Sequence, residues 1–441
     1  MASSSGPARP KHLQYMSFIP TSSFSLFLLC CIILLFIFVY TGSLPFLKQT
    51  PRTHFVRPDH GSIRPNKPKS CIGSPINLCK YEEGKWVHDG TRKPLYNEDC
   101  PFQRNAWNCI KNKKPNMDTI FAWKWVPDDC ELPQINPHLF LSSVRNMNIG
   151  FIGDSLNENL LVSFLCILRT ADEGARKWKR KGAWKGAYFP KYNVTVGYHR
   201  AVLLAKYERW QPARVAGHSV DPGVKGTYRV DVDIPADDWI NVTSYYDVFI
   251  FNTGHWWGLD KFPKETPLVF YREGSLISPL FSIKDGLHVV LQSMASYIER
   301  TIPKDRLKLW RTQSPRHFHG GEWNQNGSCT FDTLLGENKL DDWFDPKNSG
   351  INQEARAVNT IIKNALQGTS ISLLELTHLS EFRADAHPAI WLGRKDAVAI
   401  WGQDCMHWCL PGVPDTWVDV LWAVIAEHVS AKTQCFLGAD E

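Results

Sequence analysis

The chain has 441 residues, 43% hydrophobic and 12% aromatic, a composition that supplies a large core and excludes a disordered or fibrous polymer. Its formal charge of +6 is uneven: residues 1–70 carry eight basic side chains against one acidic, whereas residues 71–441 carry 42 against 43. The bulk of the chain is therefore neutral, which argues against a nucleic-acid-binding domain.

Residues 1–23 form a short polar tail. The next segment, "FSLFLLCCIILLFIFVY", is 17 residues with one serine and no charge. Extended to Leu44 it reaches the roughly 20 residues that span a bilayer, whereas the apolar part of a cleaved signal is about 7–15 residues. An uncleaved anchor is expected over 24–44. Residues 45–70 hold five prolines and many charges, the composition of an extended stem. Those charges alone would place the stem in the cytoplasm by the positive-inside rule. Cysteines and glycosylation signals oppose that orientation. Outside the apolar segment there are ten cysteines, an even number, with five between 71 and 130. Sequons stand at Asn193, Asn241 and Asn326. Zinc is the rival use of the cysteines, but no CxxC pair occurs and the closest spacing is Cys405–Cys409. A lumenal, disulfide-bonded domain behind a type II anchor is the reading that results.

Residues 71–137 are rich in cysteine, tryptophan and proline, and read as a loop-rich N-terminal subdomain. A larger domain over 138–441 alternates strand and helix. "MNIGFI" (147–152), "YDVFIFN" (246–252), "RLKLWRT" (306–312) and "ISLLELT" (371–377) read as strands. Helices are expected at "NENLLVSFLCIL", at 285–302 and at 352–368, and a last one is expected to start with Asp415 as its N-cap. The pattern predicts an α/β fold of three α/β/α layers around a mainly parallel sheet, with any site beyond the carboxyl ends of the strands.

Ser155 stands three residues past the first of those strands, where a helix begins. Gly153 permits a sharp turn there, and a helix N-terminus offers unpaired N–H groups to an anion. Serine or aspartate at that place is also an ordinary helix cap. A serine needs a base and a group to orient it. Asp404 and His407, three residues apart in "WGQDCMHWCLPGVPDTW", supply both and complete the order Ser…Asp…His.

The glycine-aspartate-serine block with a late Asp-x-x-His resembles the SGNH hydrolases. The fuller set is similar to the plant trichome-birefringence-like proteins, Golgi O-acetyltransferases of cell-wall polysaccharides. Its motifs are "GKWVHDGTRKPLYNEDCPF" (84–102), "WKWVPDDCELP" (123–133), "GDSLNENL" (153–160), "NTGHWW" (252–257), "SPRHFHGGEWNQNGSC" (314–329), "DAHP" (385–388) and "DCMHWCLPGVPDTW" (404–417). The resemblance implies Ser155 as nucleophile, His407 as base and Asp404 as its partner. It implies oxyanion or substrate contacts from Gly153, Asn252 and Asn159, and sugar stacking by Trp256 and Trp257. His255, His317 and His319 are further candidates for substrate contacts, and His387 is a rival base. No metal and no bound cofactor are implied. The co-substrate is an acetyl donor, acetyl-CoA or a carrier derived from it, supplied through a membrane acetyl transporter. The acceptor is a cell-wall polysaccharide, xylan first, with mannan, xyloglucan and pectin left open. An acetyl esterase with the same triad and a non-catalytic glycan-binding scaffold are the alternatives. One departure stands out: the family commonly reads "GDSxxRNQ", and here Glu158 and Leu160 replace the arginine and glutamine while Asn159 is kept.

Overall fold

In the central sheet, a single strand feeds two cores. Val248 and Ile250 of the strand Val248–Phe251 enter one apolar cluster, while Phe249 and Phe251 enter another on the opposite face. This is the period-two alternation of a strand buried on both sides. The computed structural model describes residues 79–180, 184–210, 214–215, 218–219, 226–323, 325–348, 350–393 and 402–437. The expected tail, anchor and stem lie outside these residues, as do Cys71 and the side chain of Cys435.

An antiparallel hairpin, β1 (Gly84–His88) and β2 (Trp123–Pro127), precedes the sheet. The sheet itself contains β3 (Asn148–Gly153), β4 (Arg176–Lys179), β5 (Lys185–Phe189), β6 (Val194–Arg200), β7 (Val248–Phe251), β8 (Leu307–Arg311) and β9 (Ser372–Leu374). Their spatial order is β9-β8-β7-β3-β6-β5-β4. The five from β9 to β6 are parallel, and β5 and β4 add an antiparallel edge. The fold is thus α/β with a mixed, mainly parallel sheet.

Five principal helices cover it: α1 (Pro137–Ser143), α2 (Ser155–Arg169), α3 (Ile283–Thr301), α4 (Glu354–Leu366) and α5 (Val413–Leu437). Helices α2 and α5 share one cluster with Ile149 and Phe151 of β3, whereas α3 and α4 pack on the other face against Phe249 and Trp310. Because α2 is covered by both sheet and α5, every residue from Leu156 to Leu168 is buried. Helix α3 starts at a capping box in which Ser282 and Asp285 satisfy each other's backbone N–H. Asp415 departs from expectation. It is not the N-cap of α5 but lies in its first turn, where it accepts from Ser163 Oγ at 2.6 Å and Tyr96 Oη at 2.9 Å.

A second sheet of four strands (275–276, 268–272, 227–235 and 205–210) lies on the α3 side and was not legible in the sequence. Its strands mix charge with apolar residues, as in "TYRVDVDIP", so no continuous apolar run marks them. The N-terminal segment, finally, does not keep a core of its own. Tyr96, Phe102, Trp107, Met117 and Trp125 belong to the same apolar cluster as Leu160 and Trp417. Disulfides Cys100–Cys166 and Cys109–Cys409 fasten this segment to α2 and to the loop before α5, and Cys79–Cys130 closes it on itself.

Candidate active site

Strand β3 runs into a glycine whose φ is +147°, a conformation that L side chains rarely adopt. A Cβ at Gly153 would also lie 2.0 Å from Asn252 Oδ1, so glycine is required both for the turn and for the approach of Asn252. Asp154 follows in extended geometry and caps α2, its Oδ1 accepting from the Leu156 N–H at 2.9 Å. Asn252, at the end of neighbouring β7, grips the same turn: its Oδ1 accepts from the Asp154 N–H at 3.1 Å and its Nδ2 donates to Asp154 Oδ1 at 2.7 Å. Two parallel strands therefore fix where Ser155, the first residue of α2, presents its hydroxyl.

The partner arrives from 252 residues away. His407 Nε2 lies 2.7 Å from Ser155 Oγ, and His407 Nδ1 lies 2.9 Å from Asp404 Oδ2. Asp404 Oδ1 accepts the backbone N–H groups of Met406 and His407 at 3.1 and 2.9 Å. Burial alone would raise the Asp404 pKa. The adjacent His407 and these three hydrogen bonds outweigh it and hold the carboxyl at about 2. An ionised Asp404 fixes the proton on Nδ1 and leaves Nε2 to accept from the serine.

The His407 loop is held from several directions. Cys405 is bridged to Cys329 and Cys409 to Cys109, one on each side of the histidine. Asn159 uses both ends of its amide on the Trp408 backbone, accepting from its N–H at 2.9 Å and donating to its carbonyl at 3.2 Å. His387 donates from Nδ1 to the His407 carbonyl at 2.6 Å, and its Nε2 meets His317 Nδ1 at 2.7 Å. The Trp107 ring lies 5.0 Å from the His407 ring, and the Arg104 guanidinium lies over Trp107 at 4.6 Å.

Other candidates are placed elsewhere. Asn159 is buried and committed to Trp408, so it is a positioning residue and not a substrate contact. His387 is excluded as a rival base for the same reason, its two nitrogens being occupied; burial and the adjacent His317 push its pKa well down. Burial also lowers His317 to about 4 and His255 well below the usual range, and His255 meets Gln313 Nε2 at 3.3 Å. His319 is exposed and stacks against Trp343. Trp257 is a core residue, donating to Thr253 Oγ1 at 2.9 Å and stacked on Phe270, so it has no open face for a sugar. Trp256 remains half-buried with Arg200 over its ring at 5.2 Å.

Glu158, one turn after Ser155, is buried and paired with Arg104 at 3.3 Å and with Lys185. These partners, like Trp107, lie far away in the chain, and no spacing in the sequence announces them.

Comparison with known proteins gives this geometry a family. Residues 132–424 match the GDSL/SGNH-like acyl-esterase family found in Pmr5 and Cas1p, and residues 77–131 match the PMR5 N-terminal domain. The chain is 66% identical over 355 residues to protein trichome birefringence-like 12 of Arabidopsis thaliana, covering 80% of this chain and 87% of the relative. It belongs to the trichome birefringence-like family. It is also 40% identical to protein trichome birefringence-like 13 of the same plant, over 92% of this chain and 96% of that one. A relative named for its activity, xyloglucan O-acetyltransferase 2 of Arabidopsis thaliana, is 29% identical over 79% of this chain and 83% of its own length. The family thus includes polysaccharide O-acetyltransferases.

Proposed function

We propose that this protein is a polysaccharide O-acetyltransferase working by double displacement through Ser155. The observation that carries the reading is the continuous relay from Asp404 through His407 to Ser155 Oγ at 2.9 and 2.7 Å. His407 takes the serine proton as the serine attacks the acetyl carbonyl. The oxyanion forms at the N-terminus of α2, with the Ser155 N–H and the second N–H of the Asn252 amide as its donors in this reading. Collapse expels the donor and leaves acetyl on Ser155. A sugar hydroxyl then gives its proton to His407, attacks the acetyl-serine and leaves acetylated.

The donor is acetyl-CoA or a carrier derived from it, and xylan is the first acceptor to try beside the xyloglucan named for a relative. A Golgi-lumen location behind the 24–44 anchor fits the four disulfides and the exposure of Asn193, Asn241 and Asn326. The test is acetyl transfer by the full-length protein in detergent to a panel of unacetylated oligosaccharides, read by mass spectrometry beside Ser155→Ala. Acetylated product from the wild type alone supports the transferase. Acetate release with no acetylated sugar means an esterase, and full complementation by Ser155→Ala in a plant lacking the protein means a scaffold.

A further inference from the structure

Three glycines stand in register across the central sheet. Gly150 of β3 is opposite Gly197 of β6, Gly197 is opposite Gly186 of β5, and Gly186 is opposite Trp178 of β4. Residues paired in this way share one face of a sheet, so the row is a lane without side chains. Aromatic rings lie in it. A Cβ at Gly150 would come within 2.5 Å of the Tyr246 ring, one at Gly197 would strike Tyr246 Oη, and one at Gly186 would come within 2.7 Å of the Trp178 indole. His199, two residues on from Gly197 and so on the same face, meets Tyr246 Oη at 2.7 Å and the Trp184 ring edge-on at 4.4 Å.

These rings wall a cavity of about 350 Å³, lined by Trp178, Trp184, Tyr188, Tyr245 and Tyr246. Trp178 lies between Lys177 and Lys179, and His199 between Tyr198 and Arg200, all four of which face Ser155 from the other side of the sheet. The cavity is therefore separate from the active site. Two of the three sequons border it. Asn241, in the turn Ile240–Val242, lines the cavity itself, is exposed, and makes no hydrogen bond through its amide among the described residues. Thr195, the last residue of the Asn193 sequon, also lines it. The Asn193 amide is already committed, accepting from Tyr188 Oη at 3.1 Å and donating to Asn146 Oδ1 at 3.0 Å, which leaves Asn241 the freer attachment point.

We infer that the glycan on Asn241 folds back onto the protein and packs its first sugars in this aromatic cavity. A pyranose ring presents an apolar face of C–H groups with hydroxyls around its rim, which suits tryptophan and tyrosine faces with polar groups beside them. Arg180 supplies such a group at the cavity wall. The volume is at the lower end of the roughly 300–1,000 Å³ of small-molecule sites, suited to a short glycan core. A sugar tethered at the rim meets the rings at an effective concentration of about millimolar, so contacts too weak to capture a free glycan suffice. The docked core covers the two tryptophans of β4–β5, the edge of the sheet, where an uncovered apolar strand is a liability. The inference rests on the lumenal orientation and not on the acetyl-transfer chemistry.

The test follows glycan release site by site. Full-length protein from a glycosylating eukaryotic host, in detergent, is treated with an amidase that cuts the sugar–asparagine bond, and peptide mass spectrometry reads each sequon. Native release at Asn241 should be about 10-fold slower than in Tyr245→Ser, the factor for a docked state that outnumbers the free one ten to one, while denaturation should remove the difference. Tyr245 is 49% exposed, so its replacement leaves the fold intact, whereas Trp184→Leu should speed release as well but is judged only where its melting curve matches wild type. Release at Asn193 and Asn326 should be unchanged in both variants. Release at Asn241 that is indifferent to Tyr245→Ser, or an unmodified Asn241 beside glycosylated Asn193 and Asn326, overturns the inference. So does a Tyr245→Ser variant that abolishes binding of added cello-oligosaccharide yet leaves release at Asn241 unchanged, which assigns the cavity to a free chain. Absence of sugar from all three sequons contradicts the lumenal orientation together with the inference.

Discussion

Replacing Asp404 by asparagine tests the relay by reversing one hydrogen bond. The amide keeps an Oδ1 acceptor for the Met406 and His407 N–H groups, so the loop retains two of its three contacts with this residue. What changes is the Nδ1 contact at 2.9 Å. An amide nitrogen there donates, which forces Nδ1 to accept and places the imidazole hydrogen on Nε2, facing Ser155 Oγ. A base in that tautomer cannot take the serine proton, and in a serine triad this substitution costs about 10⁴-fold in kcat. The stability cost is separately calculable. A carboxyl held at about 2 in the fold against 3.8 without it contributes on the order of 2 kcal/mol, present above pH 4 and lost as the pH falls through about 2. Asp404→Asn should therefore unfold a few degrees lower at neutral pH and still be folded at assay temperature. Turnover of 4-nitrophenyl acetate, with KM and kcat separated, reads the first effect, and calorimetry reads the second. A variant retaining a tenth or more of wild-type kcat would refute the reasoning.

Other perturbations probe the supports. Glu158→Gln leaves Arg104 and Lys185 without their carboxylate, but both reach solvent, with side chains 44% and 32% exposed, so urea unfolding should show a loss of only about 1–2 kcal/mol. Glu158→Arg buries an unpaired cation among others and should cost about 3–5 kcal/mol in the same measurement. Cys109→Ser/Cys409→Ser opens a link between residues 300 apart and should cost about 4–5 kcal/mol, with a fall in kcat because His407 lies two residues from Cys409. Burial raises Asp419 to about 7 against the opposing effect of Arg92, and Asp415 to about 6. Their contribution is full below pH 4 and is lost as the pH rises to about 7. Stability should fall by several kcal/mol over that window, the larger share from Asp419, and Asp419→Asn should flatten most of the slope in denaturation curves at pH 4.5 and 7.5.

The parts of this fold that the sequence makes legible are those with a local signature. β3, β7 and β8 are short apolar runs ended by turn residues, and α2, α3 and α4 are bounded by Asp154, Ser282 and Gly368. The triad spacing is equally local at each end, a glycine turn before Ser155 and three residues between Asp404 and His407. What escaped depends on distant pairing. The second sheet alternates Arg229 and Asp231 with Val230 and Val232, so its burial follows from strand partners that are not adjacent in the chain, such as Glu208 opposite Arg229 and Leu268 opposite Tyr228. Asp415 reads as a cap because it precedes an apolar run, but Tyr96 and Ser163 draw it into the first turn. Trp257 and Asn159 read as contacts because they stand beside motif residues. Direction decides otherwise: the Trp257 ring turns to Phe270, and the Asn159 amide turns to Trp408.

In the proposed mechanism Ser155 carries the acetyl group between donor and glycan. Full-length protein mixed with a labelled acetyl donor, without acceptor, and quenched in acid within the first turnover should carry one acetyl per chain, mapped by peptide mass spectrometry to Ser155. The label should move to the glycan when an acceptor is added before the quench, and should be absent from Ser155→Ala and His407→Ala. Product formed at normal rate with no acetyl-serine at any time, or label that stays on Ser155 while acetylated glycan accumulates, would contradict the account.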